Sequence, residues 1–355
     1  MIGFQNAGNR WKITFSGTAK EKSNVAPASP IVGMAMVIRW MLRVLAVLLA
    51  AFVLFVAFNI YRAQRADYGW RPSLVDPVAK YGEGPAVVID HAHHNGSKAN
   101  WWGRYWPFAK LLRADGYRVS FNEQAFTPAA LADTRVLVIA NASGSAKPQF
   151  MGINLPIGEG GDRSAPAFST QEIAALTAWV DGGGRLLLIA DHAPFGAASA
   201  ALGQAFGVRM RAGFLEVPEP EKSDPLRFTR GNGRLGTHPI LSGIAGDAPV
   251  TGKAPVTCVQ TFTGQSLDGP PGSTVLLRVP DNAIEYVDDG NGDLKPAPAG
   301  AAQGLAFERG RGRVVVLGEA AMLTAQVSQG EPFGMNLPGC DNERFARNVM
   351  RWLNE

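Results

Sequence analysis

The chain has 355 residues, 46% hydrophobic and 18% charged, a balance that excludes both an intrinsically disordered protein and a polytopic membrane protein. Its net charge of +4 is uneven, because residues 1–65 carry eight bases against one acid while residues 66–355 carry 26 bases against 29 acids. The foldable part is thus mildly acidic, which argues against nucleic-acid binding, and two cysteines exclude a disulfide scaffold or a Cys-rich zinc site.

Residues 1–35 are polar and poorly patterned, and Met34 and Met36 are alternative starts. Val44–Phe58 then contains no polar side chain, so residues 36–61 are predicted to form one transmembrane helix, flanked by Arg39, Arg62 and Arg65. A cleaved signal peptide would need a small-x-small site, which FNIYRAQR does not supply, so the segment reads as an uncleaved signal-anchor. Arg10, Lys12, Lys20, Lys22, Arg39 and Arg43 lie before or at the start of the span, and only Arg62 and Arg65 follow closely. The expected topology is single-pass in the cell (inner) membrane, N-terminus cytoplasmic, main domain extracytoplasmic.

A Pro/Gly-rich linker (62–84) leads to residues 85–355, read as one domain. PAVVID (85–90), RVSF (118–121), VLVIAN (136–141) and RLLLIAD (185–191) read as buried strands alternating with helices. One helix ends at Asp115-Gly116; another opens on the capping box Ser169–Glu172 and stops at Gly182-Gly183-Gly184. Strands alternating with helices predict an α/β fold, a flavodoxin-like parallel sheet with helices on both faces. From about 208 to 303 the pattern becomes a β-rich insertion, beginning with a strand over Arg209–Val217. RVVVLGE (313–319) is the last strand, and a helix over about 342–353 buries Phe345, Val349, Trp352 and Leu353.

The five histidines fall in Asp90-His91-Ala92-His93-His94-Asn95, Asp191-His192 and Thr237-His238-Pro239. The first two groups end predicted strands, as do Asn141 and Glu319, and ligands of open α/β sheets bind outside those ends. Three readings stay open. Imidazoles and carboxylates in one crevice suit a divalent metal such as zinc, with His91, His93 and His192 as ligands, although the spacing matches no standard motif. Alternatively, Asp90, His91, Asp191, His192 and Glu319 perform metal-free acid–base catalysis. Thirdly, these side chains cap backbone groups and line a pocket without reacting. His94, Asn95, Trp102, Arg104, Asn141 and His238 are candidate ligand-binding residues.

Trp101, Trp102, Tyr105 and Trp106 would either stack on a small or carbohydrate-like ligand or belong to the core. The long loop 142–168 has the character of a lid or binding loop. Asp288–Asp293 looks like a calcium loop but lacks the EF-hand glycine and distal Glu, so a hairpin turn is expected. Cys258 and Cys340 would pair only in an oxidising compartment, and nothing in the sequence brings them together.

DHAHHN, GRYWPFAKLLRADGY, EIAALTAWVDGGGRLLLIADHAPFG and GRGRVVVLGEAAMLTAQ together resemble a bacterial, membrane-anchored family with a class I glutamine amidotransferase-like domain. WVDGGGRLLLIADH is also similar, more distantly, to trehalose-utilisation-like proteins and GIFT domains. The resemblance covers roughly residues 85–354 and implies a flavodoxin-like sheet with a site at the turn after Ala190-Asp191. Amidotransferases carry a nucleophilic Cys in a G-x-C-x-G turn there. This chain has Asp191-His192-Ala193-Pro194-Phe195-Gly196 instead, so a hydrolase other than a glutamine amidotransferase, or a non-catalytic ligand- or protein-binding module, is expected.

Overall fold

The computed structural model describes residues 30–74, 76–101, 103–150, 153–154, 161–218, 226–242 and 255–355. The chain divides after Asn59 into two units. The first is built on helix α1 (Pro30–Arg62), in which Gly33–Asn59 is long and apolar enough to cross a membrane.

In the second unit, continuous apolar runs become β1 (Ala86–Asp90), β2 (Arg118–Asn122), β3 (Val136–Ala140) and β4 (Arg185–Ile189). Between them lie α2 (Trp106–Ala114) and α3 (Thr170–Asp181), and α4 (Phe195–Ala205) follows. Then come β5 (Arg209–Met210), β6 (Leu267–Asp268), β7 (Thr274–Arg278), β8 (Ala302–Arg309), β9 (Gly312–Leu317) and α5 (Asn342–Asn354). They form a nine-stranded sheet of order β2-β1-β3-β4-β9-β8-β6-β5, with β7 also on β8. The first five are parallel, and β8, β7, β6 and β5 extend the sheet antiparallel. The fold class expected from the sequence is the one observed, with the flavodoxin-like order 2-1-3-4-last.

Strand residues alternate between two cores, because successive side chains point to opposite faces. Val87, Ile89, Val136, Val138, Leu187, Ile189, Val315 and Leu317 pack with residues of α2 and α5. Leu137, Ile139, Leu186, Leu188, Val314 and Val316 pack with residues of α3 and α4 on the other face. The α3 capping box forms as the sequence specified, and the helix gives way at Gly182–Gly184. A Cβ on Gly184 would lie 2.3 Å from the Trp179 ring, so the chain turns into β4 against that indole only as glycine.

Arg209–Val217 departs from the expected single strand. Ala212 at φ 59° breaks it, so that β5 stays in the main sheet while Phe214–Glu216 joins Ile284–Asp288 and Leu294–Pro298 in a separate three-stranded sheet. The Asp288–Asp293 segment is the hairpin turn between the last two, with Gly290 and Gly292 at φ 88° and 90°. Within 62–84, Arg65–Ala66 pairs antiparallel with Gln326–Val327, at the edge of the hairpin Ala325–Ser328/Glu331–Gly334. A disulfide joins Cys258 to Cys340, across 82 residues, beside the start of α5.

Candidate functional site

The C-terminal ends of the parallel strands carry Asp90 as the last residue of β1, Asn141 after β3, Asp191 after β4 and Glu319 after β9. The strand order reverses between β1 and β3, and a crevice of about 710 Å³ opens at these ends. Asp191, His192, Glu319, His94, Asn95, Arg104 and Asn141 all line it.

Asn141 fixes the two loops that meet there. At φ 53° its backbone adopts the left-handed conformation, which Asn tolerates better than most residues. Its Oδ1 accepts from the Asp191 amide at 2.9 Å, its Nδ2 donates to Ser97 Oγ at 3.0 Å, and its carbonyl accepts from Gly96 at 2.8 Å. Buried Gln265 supports the same turn: Nε2 donates to the carbonyls of Ala190 and Asp191, and Oε1 accepts from the Ala212 amide at 2.7 Å.

In the turn after β4, the Asp191 carboxylate accepts from the His192 amide at 2.8 Å. His192 stacks on Phe214 with ring centroids 4.6 Å apart, and its Nδ1 lies 2.7 Å from the Ala193 carbonyl oxygen. A carbonyl only accepts, so Nδ1 carries a proton, and Nε2 has no partner among the described residues. Glu319 is fully buried; its two oxygens accept from the amides of Ala321 and Met322, both at 2.7 Å. Burial and then the charge of Asp191 push its pKa well above the ordinary carboxylate value, against the pull of the two amides.

Arg104 enters from the segment after β1. Gly103 permits this: a Cβ there would fall 1.9 Å from the Lys98 carbonyl oxygen. Tyr105, fully buried, anchors the segment by donating to the Ala320 carbonyl at 2.9 Å. Trp101 is 56% exposed, and Trp102 lies outside the described residues.

Asp90, His91 and His93 sit behind the crevice. His93 bridges two carboxylates, Nδ1 to Asp90 Oδ2 and Nε2 to Glu172 Oε1, both at 2.8 Å, with its ring packed against both Phe126 and Phe168. Burial alone would lower its pKa, but the bonds to Asp90 and Glu172 outweigh that and raise it. Glu172 is likewise opposed by burial, yet bonds from Ser169, His93 and Phe126 bring it down to about 2. Each ring nitrogen thus faces a carboxylate oxygen, an arrangement that favours the imidazolium. Asp90 also accepts from Ala92, Asn122 and Asn95, and Glu172 from Ser169 and Phe126, leaving neither short of donors.

His91 Nε2 accepts from the Ala99 amide at 3.0 Å, and its ring lies flat on Phe121 at 4.4 Å. Burial, then Lys98, lowers its pKa to about 4. The three histidines considered as zinc ligands therefore have separate engagements, and among the described residues no three or more His, Cys, Asp or Glu side chains are grouped to hold a metal ion. His238 lies at the opposite edge of the sheet, where its Nδ1 accepts from the Ile240 amide and its ring meets Trp352 edge-on at 4.9 Å. Nothing in the sequence pattern singles out Gln265, Ser97 or Lys98, and Glu172 reads there only as a capping residue.

No protein-family model matches this chain, and no curated protein does. Solved structures do. The mmIFT52 N-terminal domain superposes with a TM-score of 0.50 at 12% identity, over 76% of this chain and 97% of that one. A ThuA-like protein from Parabacteroides merdae gives 0.40 at 11% identity, covering 76% and 90%. A GMP synthase-like protein from Thermoplasma acidophilum gives 0.34 at 10%, covering 75% and 92%. At these identities the likeness is one of fold, and it leaves the activity to be argued from the crevice.

Proposed function

We propose that the protein is a membrane-anchored extracytoplasmic hydrolase acting on a small or carbohydrate-like substrate in this crevice, with His192 as general base, Asp191 beside it and no cysteine nucleophile. The observation that carries the reading is the unpartnered Nε2 of His192, whose tautomer and ring plane are fixed by Ala193 and Phe214. Glu319, pushed toward its neutral form by burial and by Asp191, lies in the same crevice and would complete the acid–base set. The apolar helix, the excess of cationic residues before it, and the Cys258–Cys340 bond support anchoring with the domain in an oxidising compartment.

A second reading, a non-catalytic binding module, is favoured by one observation. The amides of Asp191, His192, Ala193 and Phe195 are all occupied within the protein, and Pro194 has none, so this turn offers no pair of amides for an oxyanion. The test uses the full chain in detergent against aryl ester, aryl phosphate and aryl glycoside substrates. Turnover that falls about 100-fold or more in His192→Gln and Asp191→Asn supports the hydrolase. Turnover unchanged in both variants overturns it, and binding without turnover selects the second reading.

A further inference from the structure

The charge lining the crevice runs opposite to that of the domain around it. Residues 66–355 carry more acids than bases, yet Lys98, Arg104, Lys147 and Arg163 line the same cavity as Asp191 and Glu319. Among the described residues, Lys98 and Arg104 bring two cations from one loop to a lining that also holds Asp191 and Glu319, and Glu319 is pushed toward its neutral form. Arg104 is deeply set: its Nε is inaccessible to water and has no hydrogen-bond partner among the described residues. That Nε is closed to the crevice, so a ligand oxygen would meet Arg104 at its terminal guanidinium nitrogens, beside Asp191. Arg163 lies over the Phe195 ring at 5.1 Å, on the wall formed by the start of α4.

We infer that the crevice binds the oxyanion of a small hydroxylated molecule, a carboxylate or phosphate ester taken by Arg104 and Lys98. Guanidinium forks suit both oxyanions, and Lys98 adds a point charge from the same loop. The neutral part of the molecule would face His94, whose imidazole can bond a hydroxyl. The inference rests on the crevice being the working site, and it narrows the substrate class within that reading. Two sources share this chemistry: a soluble acidic sugar and the phosphoglycerol headgroup of a lipid.

The experiment is calorimetric titration of the full chain in neutral detergent with glucuronate, glucose and dihexanoylphosphatidylglycerol. Glucose and glucuronate share a ring and differ in one carboxylate. Binding of either anionic probe at least about tenfold tighter than glucose, weakened about tenfold or more in Arg104→Gln and less in Arg104→Lys, is the expected result. Glucuronate alone binding assigns the anion to a soluble molecule, and the phospholipid alone assigns it to a headgroup. Equal affinity for glucose and glucuronate, or binding of an anionic probe that Arg104→Gln leaves unchanged, overturns the inference, as does failure of both anionic probes to bind. Arg104-dependent binding alongside turnover that ignores His192→Gln would retain the ligand class and remove the acid–base reading. Turnover of a neutral substrate insensitive to Arg104→Gln would do the reverse.

Discussion

Replacing His93 by Gln tests the buried triad. The substitution removes a cation whose two ring nitrogens lie 2.8 Å from Asp90 and from Glu172, and leaves both carboxylates buried without it. Two charge-assisted bonds at about 1.5–3 kcal/mol each, less the cost of desolvating the imidazolium, put the loss at about 3–5 kcal/mol near pH 6. The pH dependence has a definite sign. His93 has a raised folded pKa, so its contribution is complete below the unfolded value of 6.5 and is lost as pH rises through the folded value. Glu172 has a depressed one, so its contribution is complete above 4.5 and is lost as pH falls toward about 2. Urea unfolding of the full chain in detergent, followed by tryptophan fluorescence from pH 3 to 9, reads both. Wild type should be most stable between about pH 5 and 6.5, and the penalty of His93→Gln should shrink toward pH 9. A penalty under about 1 kcal/mol, or one equal at pH 6 and 9, would refute the buried imidazolium.

Reducing the Cys258–Cys340 bond, or Cys258→Ser with Cys340→Ser, frees a loop of 82 residues and should cost about 2–5 kcal/mol in the same urea assay. Gln265→Leu orphans the Ala212 amide and the carbonyls of Ala190 and Asp191; we expect a loss of about 2–4 kcal/mol and weaker ligand binding, measured by calorimetry. Tyr105→Phe deletes one buried bond to Ala320, and a Tm drop corresponding to about 1–2 kcal/mol is the expected outcome. The anchor is checked by alkaline carbonate extraction: the full chain should stay with the membrane pellet, and a chain lacking residues 1–59 should not.

The parallel half of the sheet was legible because β3 and β4 are buried on both faces, and β1 on one face and partly on the other, so that all three read as unbroken apolar runs. Their ends pointed to Asp90, Asn141 and Asp191, and the helix stop at Gly182–Gly184 was equally plain. What the pattern concealed depends on contacts distant in sequence. Glu172 is 79 residues from His93, and its capping role hid its second one. Arg209–Val217 alternates like a single strand, and only the left-handed Ala212 shows that it serves two sheets. Arg65–Ala66 is too short for any periodicity, so a Pro/Gly-rich stretch concealed a paired strand. Proximity in sequence also misled in one respect: His91, His93 and His94 are near neighbours, yet His91 packs on Phe121, His93 is enclosed by carboxylates, and only His94 reaches the crevice.

That short strand has a mechanical consequence. The chain leaving α1 is stitched to the hairpin Ala325–Gly334 within four residues, by Arg65–Ala66 and by Gln64 Nε2 donating to Gln326 Oε1 at 3.0 Å. Gln64 and Phe333, one on each partner of this seam, both line the crevice. A pull on the chain preceding Gln64 is therefore delivered to the rim of the crevice before it reaches the main sheet, and the seam and the crevice bear load in series.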